Sequence, residues 1–250
     1  MSKYLSGSFT YKTDVGRVRV TNEDRAIALT NARGNVLLLV CDGMGGQSKG
    51  ELASTLASNF IAEEFRNRTR KFLNKATAAH WLVSTIRKAN SAVFNESLNN
   101  KEYSGMGTTL TAVLIIGNNA IIAQVGDSRA YFLENDELIQ VTEDQTFVGY
   151  LLRTGQISEE EARVHPKRHV LLEALGIRPS VNVDVSFRKY NNNRVLVCSD
   201  GLYNNVSTRD IANILKNDDT VTLKATQLIS VANMNGGSDN IAVVLWEANE

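Results

Sequence analysis

The stretch Val36-Leu-Leu-Leu-Val-Cys-Asp-Gly-Met-Gly-Gly46 narrows the folds open to this chain more than any other. Five apolar residues in succession, Val36 to Val40, read as a strand covered on both faces, and Asp42 stands where that strand is expected to run out. Gly43, Gly45 and Gly46 then let the backbone bend around something small. The pattern returns at Val195-Leu-Val-Cys-Ser-Asp-Gly201, and a variant, Gly236-Gly-Ser-Asp-Asn240, precedes the apolar run Ile241 to Trp246. A single Asp-Gly is usually only a turn. Three acids at the ends of apolar runs suggest a site for a hard cation.

The remaining texture is short strands and amphipathic helices. Ser8 to Thr13 and Ala26 to Thr30 are strand candidates separated by a charged connection. Leu52, Leu56 and Phe60 recur at helical spacing after the Asp42 turn, and Leu82, Ile86, Ala89 and Val93 form a core stripe on a helix from Ala76 to Leu98. Strands follow at Thr108 to Ile116 and Ala120 to Val125, joined at Gly117-Asn-Asn119, then at Ala130 to Leu133 and Leu138 to Val141, joined at Glu134-Asn-Asp-Glu137. Such hairpins predict antiparallel sheets rather than a doubly wound parallel fold. Residues 142–180 read as helical and exposed, with a capping box at Ser158-Glu-Glu-Glu161, and form either a lid or a connector. Val181 to Phe187 and Arg194 to Cys198 are strands, Ser207 to Leu215 and Thr222 to Ala232 helices, and Ile241 to Trp246 the last strand.

At 250 residues and 43% hydrophobic content the chain is expected to be one domain, 1–250, with an ample core. A net charge of zero gives no reason to expect nucleic acid or an acidic membrane as partner. Cys41 and Cys198, in no metal or redox spacing, read as buried free thiols in a reducing compartment. Met1-Ser-Lys-Tyr-Leu-Ser-Gly-Ser8 has no apolar leader core and no run is long enough to span a bilayer, so a cytoplasmic location is expected.

Other phosphate chemistries fail on spacing. Gly46-Gln-Ser-Lys-Gly50 lacks the Gly-Lys-Ser/Thr of a nucleotide-binding loop, and Ser48 takes the last glycine position of a dinucleotide fingerprint. No Gly-x-Ser-x-Gly elbow exists. Gln47 and Asn204, not arginines, stand six residues after the two cysteines, which speaks against a thiolate phosphatase. His80, His165 and His169 do not cluster with the acids. What remains is a metal site of Asp42, Asp200 and Asp239, with Asp127 and Asp24 as outer members and the Gly43 carbonyl as a further oxygen. An all-oxygen donor set suits Mg2+ or Mn2+. Two such ions would ready a water and clamp an in-line displacement at phosphorus. Arg19 is either the phosphate holder or a surface charge paired with Glu23, and Arg129 is expected to pair with a carboxylate at the sheet edge.

Arg19-Val-Thr-Asn-Glu-Asp24, Cys41-Asp-Gly-Met-Gly-Gly46, Met106-Gly-Thr-Thr109, Gly126-Asp-Ser-Arg129, Ser199-Asp-Gly201 and Gly237-Ser-Asp-Asn240 follow one another in an order that resembles the PPM (type 2C) metal-dependent Ser/Thr protein phosphatases in their compact bacterial form. The resemblance implies an α+β fold, a four-layer α-β-β-α sandwich of two antiparallel sheets flanked by helix pairs. It implies a dinuclear Mn2+ or Mg2+ centre in which Asp42 bridges both ions and orients the attacking water, Gly43 lends its carbonyl, and Asp200 and Asp239 complete the set. Asp24 would act through water, Asp127 with Asp200 would hold a weaker third ion, Asn240 would orient the neighbouring acid, and Arg19 would bind the substrate phosphate. Residues 142–180 would be the flap beside the cleft. The implied partners are phosphorylated proteins and a cognate bacterial Ser/Thr kinase, with the enzyme a monomer. Animal members carry His after the Asp-Gly; Met44 stands there here and cannot donate a proton, so a water on the third ion is the expected general acid. Two rivals stand beside this reading: a catalytically silent scaffold of the same fold, and a switch enzyme for one phosphorylated transcription regulator.

Overall fold

Alternation along a strand sends neighbouring side chains to opposite faces, so an unbroken apolar run folds stably only with cover on both sides. The computed structural model, which describes residues 5–46 and 48–249, supplies that cover. Met1–Tyr4 and Gln47, on which the expected absence of a leader and part of the thiolate argument rest, lie outside the described residues. The strands are β1 (Gly7–Asp14), β2 (Asp24–Thr30), β3 (Val36–Met44), β4 (Gly107–Thr108), β5 (Leu110–Ile116), β6 (Asn119–Val125), β7 (Arg129–Glu134), β8 (Glu137–Gln140), β9 (Asp184–Lys189), β10 (Arg194–Cys198) and β11 (Ile241–Ala248). One sheet runs β1-β11-β10-β7-β8 and the other β2-β3-β5-β6-β9, with β4 paired to the end of β3. Every pairing between these strands is antiparallel.

The core divides into three apolar layers, which is what four stacked layers of structure require. Val36, Leu38 and Val40 face Phe132, Val195, Val197, Val244 and Trp246 between the sheets. Leu37, Leu39 and Cys41, on the other face of β3, pack against α1 (Ser48–Arg66) and α2 (Lys75–Asn99). Leu196, Val243 and Leu245 pack beneath α6 (Thr208–Lys216) and α7 (Val221–Met234). The fold is the expected α-β-β-α sandwich. Two deeply buried polar groups are paired: Trp246 Nε1 donates to the Tyr190 hydroxyl at 2.6 Å between the sheets, and Lys224 Nζ meets Glu247 Oε1 at 2.6 Å under α7.

Several local expectations change. In α1 the stripe at the sheet is Ala53, Ala57, Ile61 and Phe65, all inaccessible, while Leu52, Leu56 and Phe60 are only partly buried at its side. Small residues let the helix approach β3 closely, and the longer side chains fill the flanks. The strand expected from Thr108 breaks at Thr109, whose N–H turns to the Asp42 carbonyl at 2.8 Å. The first hairpin turn is Gly117-Asn118, with Gly117 at φ 52, and Asn119 is already in β6. The second places Asn135 and Asp136 at φ 48 and 66, the left-handed pair a two-residue hairpin demands.

Residues 142–180 are mostly irregular rather than helical, with only α3 (Phe147–Arg153) and α4 (Glu159–Val164). Their backbone is tied instead by strand-like bridges, Thr108 to Leu175 and Thr146 to Leu171. The Ser158 capping box forms as read. The strand expected at Val181 begins only at Asp184, where pairing with β6 starts.

Candidate metal centre

Five aspartates from distant parts of the sequence meet at one end of the sandwich because strands of both sheets stop or start there. Asp24 opens β2 and stands opposite Asp42 in the register of β3, so the two carboxylates are forced together by the ladder. The strand that was expected to end at Asp42 continues through it to Met44. Asp127 lies in the Gly126–Ser128 crossing by which the chain leaves one sheet for the other, Gly126 taking φ 99. Asp200 opens the short helix α5 (Asp200–Tyr203) directly after β10, and Asp239 precedes β11 by two residues.

Backbone and hydroxyl contacts fix these side chains. Asp42 is held by its main chain: its N–H donates to Thr109 Oγ1 at 3.0 Å and its carbonyl accepts from Thr108 Oγ1 at 2.9 Å. Ser199 donates its hydroxyl to Asp24 Oδ2 at 2.6 Å while accepting the Ala242 N–H at 2.8 Å, which ties the two sheets together under the site. Asn204 reaches Asp200 Oδ2 at 3.1 Å. Gly43 is required sterically, since a Cβ there would meet the Glu23 carbonyl at 2.6 Å. Arg129 grips Asp144 with two bonds of 2.9 and 2.7 Å, the carboxylate partner expected for it.

The acids hold one another's protons. Burial raises Asp24 to about 8, and the charges of Asp200 and Asp239 add to this against the Ser199 hydroxyl. Burial together with Asp200 and Asp144 raises Asp127 to about 8. Asp200 rises to about 6 through burial and Asp239, and Asp42 goes well above its ordinary value through burial and Asp24. Asp24 Oδ1 and Glu23 Oε1 are buried with no hydrogen-bond partner. Buried carboxylate oxygens that repel and lack donors are the signature of a site built for cations. Among the described residues no three His, Cys, Asp or Glu side chains close into a finished cage.

Three details escaped the sequence. Arg19 pairs with Asp239, Nη2 to Oδ2 at 2.8 Å, not with Glu23. Glu23 instead turns inward, 8% exposed, and burial raises its carboxyl. Asn240 holds Asp239 through its backbone N–H at 2.8 Å, whereas its side chain locks the Arg19 loop, accepting from Glu23 N and donating to the Val15 and Thr21 carbonyls at 2.9 Å each. Nothing local distinguishes an inward Glu23 from a surface one. His80 and His169 are exposed; Cys41 and Cys198 are the buried free thiols expected, and burial raises both.

The protein phosphatase 2C family model matches residues 17–243. The serine/threonine phosphatase stp of Listeria innocua is 39% identical over 96% of this chain and 95% of its own length. The chain belongs to the protein phosphatase 2C family. As a member it is a protein serine/threonine phosphatase acting on phosphorylated proteins. Stp1 of Staphylococcus aureus superimposes with a TM-score of 0.92 at 32% identity, covering 100% of this chain and 98% of that one. The catalytic domain of the phosphatase PstP, solved in complex with two manganese ions, superimposes with a TM-score of 0.85 at 35% identity over 98% of this chain and 100% of that one. No helix among the described residues is long and apolar enough to cross a membrane.

The crowded acids set a pH dependence for this phosphatase without divalent ions. A carboxyl whose folded pKa lies above its unfolded value of about 4 binds more protons folded than unfolded between the two, so raising pH costs stability there. With Asp200 at about 6 and Asp24 and Asp127 at about 8, the melting temperature in chelator is expected to fall as pH rises from 5 to 8. Manganese should restore most at the alkaline end, where it replaces charge repulsion rather than protons. A chelator melting curve that rises across this range would contradict the acid cluster.

Proposed function

We propose that the chain hydrolyses phosphoserine and phosphothreonine in proteins by direct attack of water, with no covalent enzyme intermediate, and that it opposes a Ser/Thr kinase. The observation that carries this is the meeting of Asp24, Asp42, Asp127, Asp200 and Asp239, mutually raised by burial and one another's charge, with an unpartnered oxygen on Asp24. The donor set fits Mn2+ or Mg2+: Asp42, the Gly43 carbonyl, Asp200 and Asp239 would hold two ions, Asp127 a third, and Asp24 would act through water. When bound, such ions supply a nucleophilic water at neutral pH and offset charge on the phosphoryl oxygens.

The chain's own residues do the rest. Asp42 is aimed by backbone bonds that do not depend on its carboxylate, so its geometry is set before any ion arrives. Arg19, half exposed and paired with Asp239, would exchange that carboxylate for the substrate phosphate, whose oxygens a guanidinium can hold in pairs. Met44 supplies no proton, so the leaving alkoxide must take one from elsewhere than this position. The protein is read as one catalytic unit working as a monomer, with residues 142–180 as its flap.

Phosphate release from a phosphopeptide panel tests this. Release should require added Mn2+ or Mg2+, vanish in excess chelator and return with metal. Arg19→Ala should lose roughly tenfold to a hundredfold in kcat/KM, the worth of a charged hydrogen bond of about 1.5–3 kcal/mol that strengthens in the transition state. Parent rates persisting in chelator would end the metal mechanism, and no release in any metal would favour a silent scaffold.

A further inference from the structure

We propose that the cavity between Met44 and residues 171–178 is a preformed subsite for an aliphatic side chain lying within two residues of the phosphoresidue; this rests on the phosphatase reading above. The cavity measures about 110 Å3 and is lined by Met44, Leu171, Leu172 and Ile177, with Glu173 and Arg178 also on its wall. Its Met44 wall belongs to β3, the strand that also carries Asp42. Asp42 and Met44 are two residues apart on one strand, so their side chains leave the same face about 7 Å apart. An extended peptide advances about 3.3–3.6 Å per residue, so a substrate whose phosphate sits at Asp42 brings a near neighbour to Met44.

The far wall is built, not loose. Leu175, fully buried, exchanges backbone bonds of 3.1 and 2.8 Å with Thr108 on β4. Asn90 of α2, 1% exposed, accepts the Gly176 N–H at 2.9 Å and donates to the Arg178 and Pro179 carbonyls at 3.1 and 3.3 Å. Ile177 lies so near Gly107 that a Cβ there would meet its Cδ1 at 2.7 Å. Leu172 and Ile177 are nevertheless 40% exposed each, so their apolar surface is held in place and left uncovered. A pre-ordered apolar wall costs a ligand little entropy on binding. Glu173 and Arg178 carry opposite charges and give no net preference for a charged guest. At about 110 Å3, below the about 150 Å3 of an enclosed cavity that admits benzene, it suits a branched aliphatic chain better than an indole.

The test uses the manganese-loaded enzyme and phosphothreonine peptides differing at one position, with Leu, Gly, Asp or Trp placed in turn at each of the two residues before and after the phosphothreonine. At one position Leu should exceed Gly in kcat/KM by about tenfold or more, with Trp and Asp no better than Gly. In Ile177→Ser and in Leu172→Ser the Leu-to-Gly ratio at that position should fall towards one. The ratio compares two substrates on one preparation, so partial misfolding does not move it. Equal rates for Leu and Gly at all positions, an Asp preference, or a ratio preserved in both variants would overturn the subsite. Release from none of the peptides would overturn the phosphatase reading itself.

Discussion

Asp42→Asn is expected to lower phosphate release by on the order of a thousandfold or more while leaving the metal-free protein at least as stable as its parent. Activity falls because the amide cannot neutralise a divalent ion at the point where Asp24 and Asp42 face each other across β2 and β3. The fold survives because the bonds that hold residue 42, to Thr108 and Thr109, use its main chain. Stability is kept or gained because burial and Asp24 already hold the Asp42 carboxyl well above its ordinary value. An uncharged isostere removes that repulsion. The pairing of lost function with an unharmed fold is the usual exchange at sites that tolerate destabilising charge. Phosphate release with saturating manganese and thermal melts in chelator read the two halves. A variant within tenfold of the parent rate would show that Asp42 is not in the chemistry, and a large drop in melting temperature would show that it is structural.

Arg129→Ala should cost about 3 kcal/mol of folding stability or more, read as a shift in denaturant midpoint at constant slope. Arg129 and Asp144 side chains are 25% and 20% exposed, so the pair is largely withdrawn from water. The guanidinium also donates to the Tyr131 hydroxyl at 3.3 Å and lies 3.6 Å over the Tyr203 ring. Removing it leaves the Asp144 carboxylate in a poorly solvated place with its main partner gone. The loss should reach the site as well. Arg129 lowers Asp127 and Asp144 raises it, so without the arginine Asp127 holds its proton more tightly and binds a cation less readily. Next to Asp144, Gln145 accepts the Gly126 N–H at 2.7 Å and so pins the turn that carries Asp127. Asp144→Leu combined with Arg129→Met should recover part of the stability, since replacing a buried pair by packed apolar groups is often neutral. A single variant that costs less than 1 kcal/mol would show the pair to be ornamental.

Much of this molecule was legible because its signals are local. The uninterrupted run Val36 to Val40 can be satisfied only with cover on both faces, and the structure buries Val36 to Cys41 completely. Asn135-Asp136 carries its own turn conformation, and Ser158 with Glu161 its own cap. The α2 stripe of Leu82, Ile86, Ala89 and Val93 is read from period alone and is buried throughout. Aspartates stand at the ends of apolar runs, and the sandwich brings strand ends of both sheets, with those acids, to one end.

What depends on neighbours far away in the sequence was not legible. The helical stripe of α1 shifted by one position because β3 beneath it favours close approach by alanines. Residues 142–180 stayed largely irregular because Thr108 and Asn90 satisfy part of their backbone from outside the segment. Arg19 chose Asp239 over the nearby Glu23 because Asn240 bends the intervening loop, turning Glu23 inward. The sequence by itself determined most strands, the long helices α1 and α2 and the placing of acids at the ends of apolar runs, since each follows from periodicity and local pattern. Only the tertiary structure decided which oxygens are buried without a donor, which arginine serves which acid, and where a substrate's neighbouring side chain can rest. Those are properties of distances between parts of the chain that no local pattern encodes.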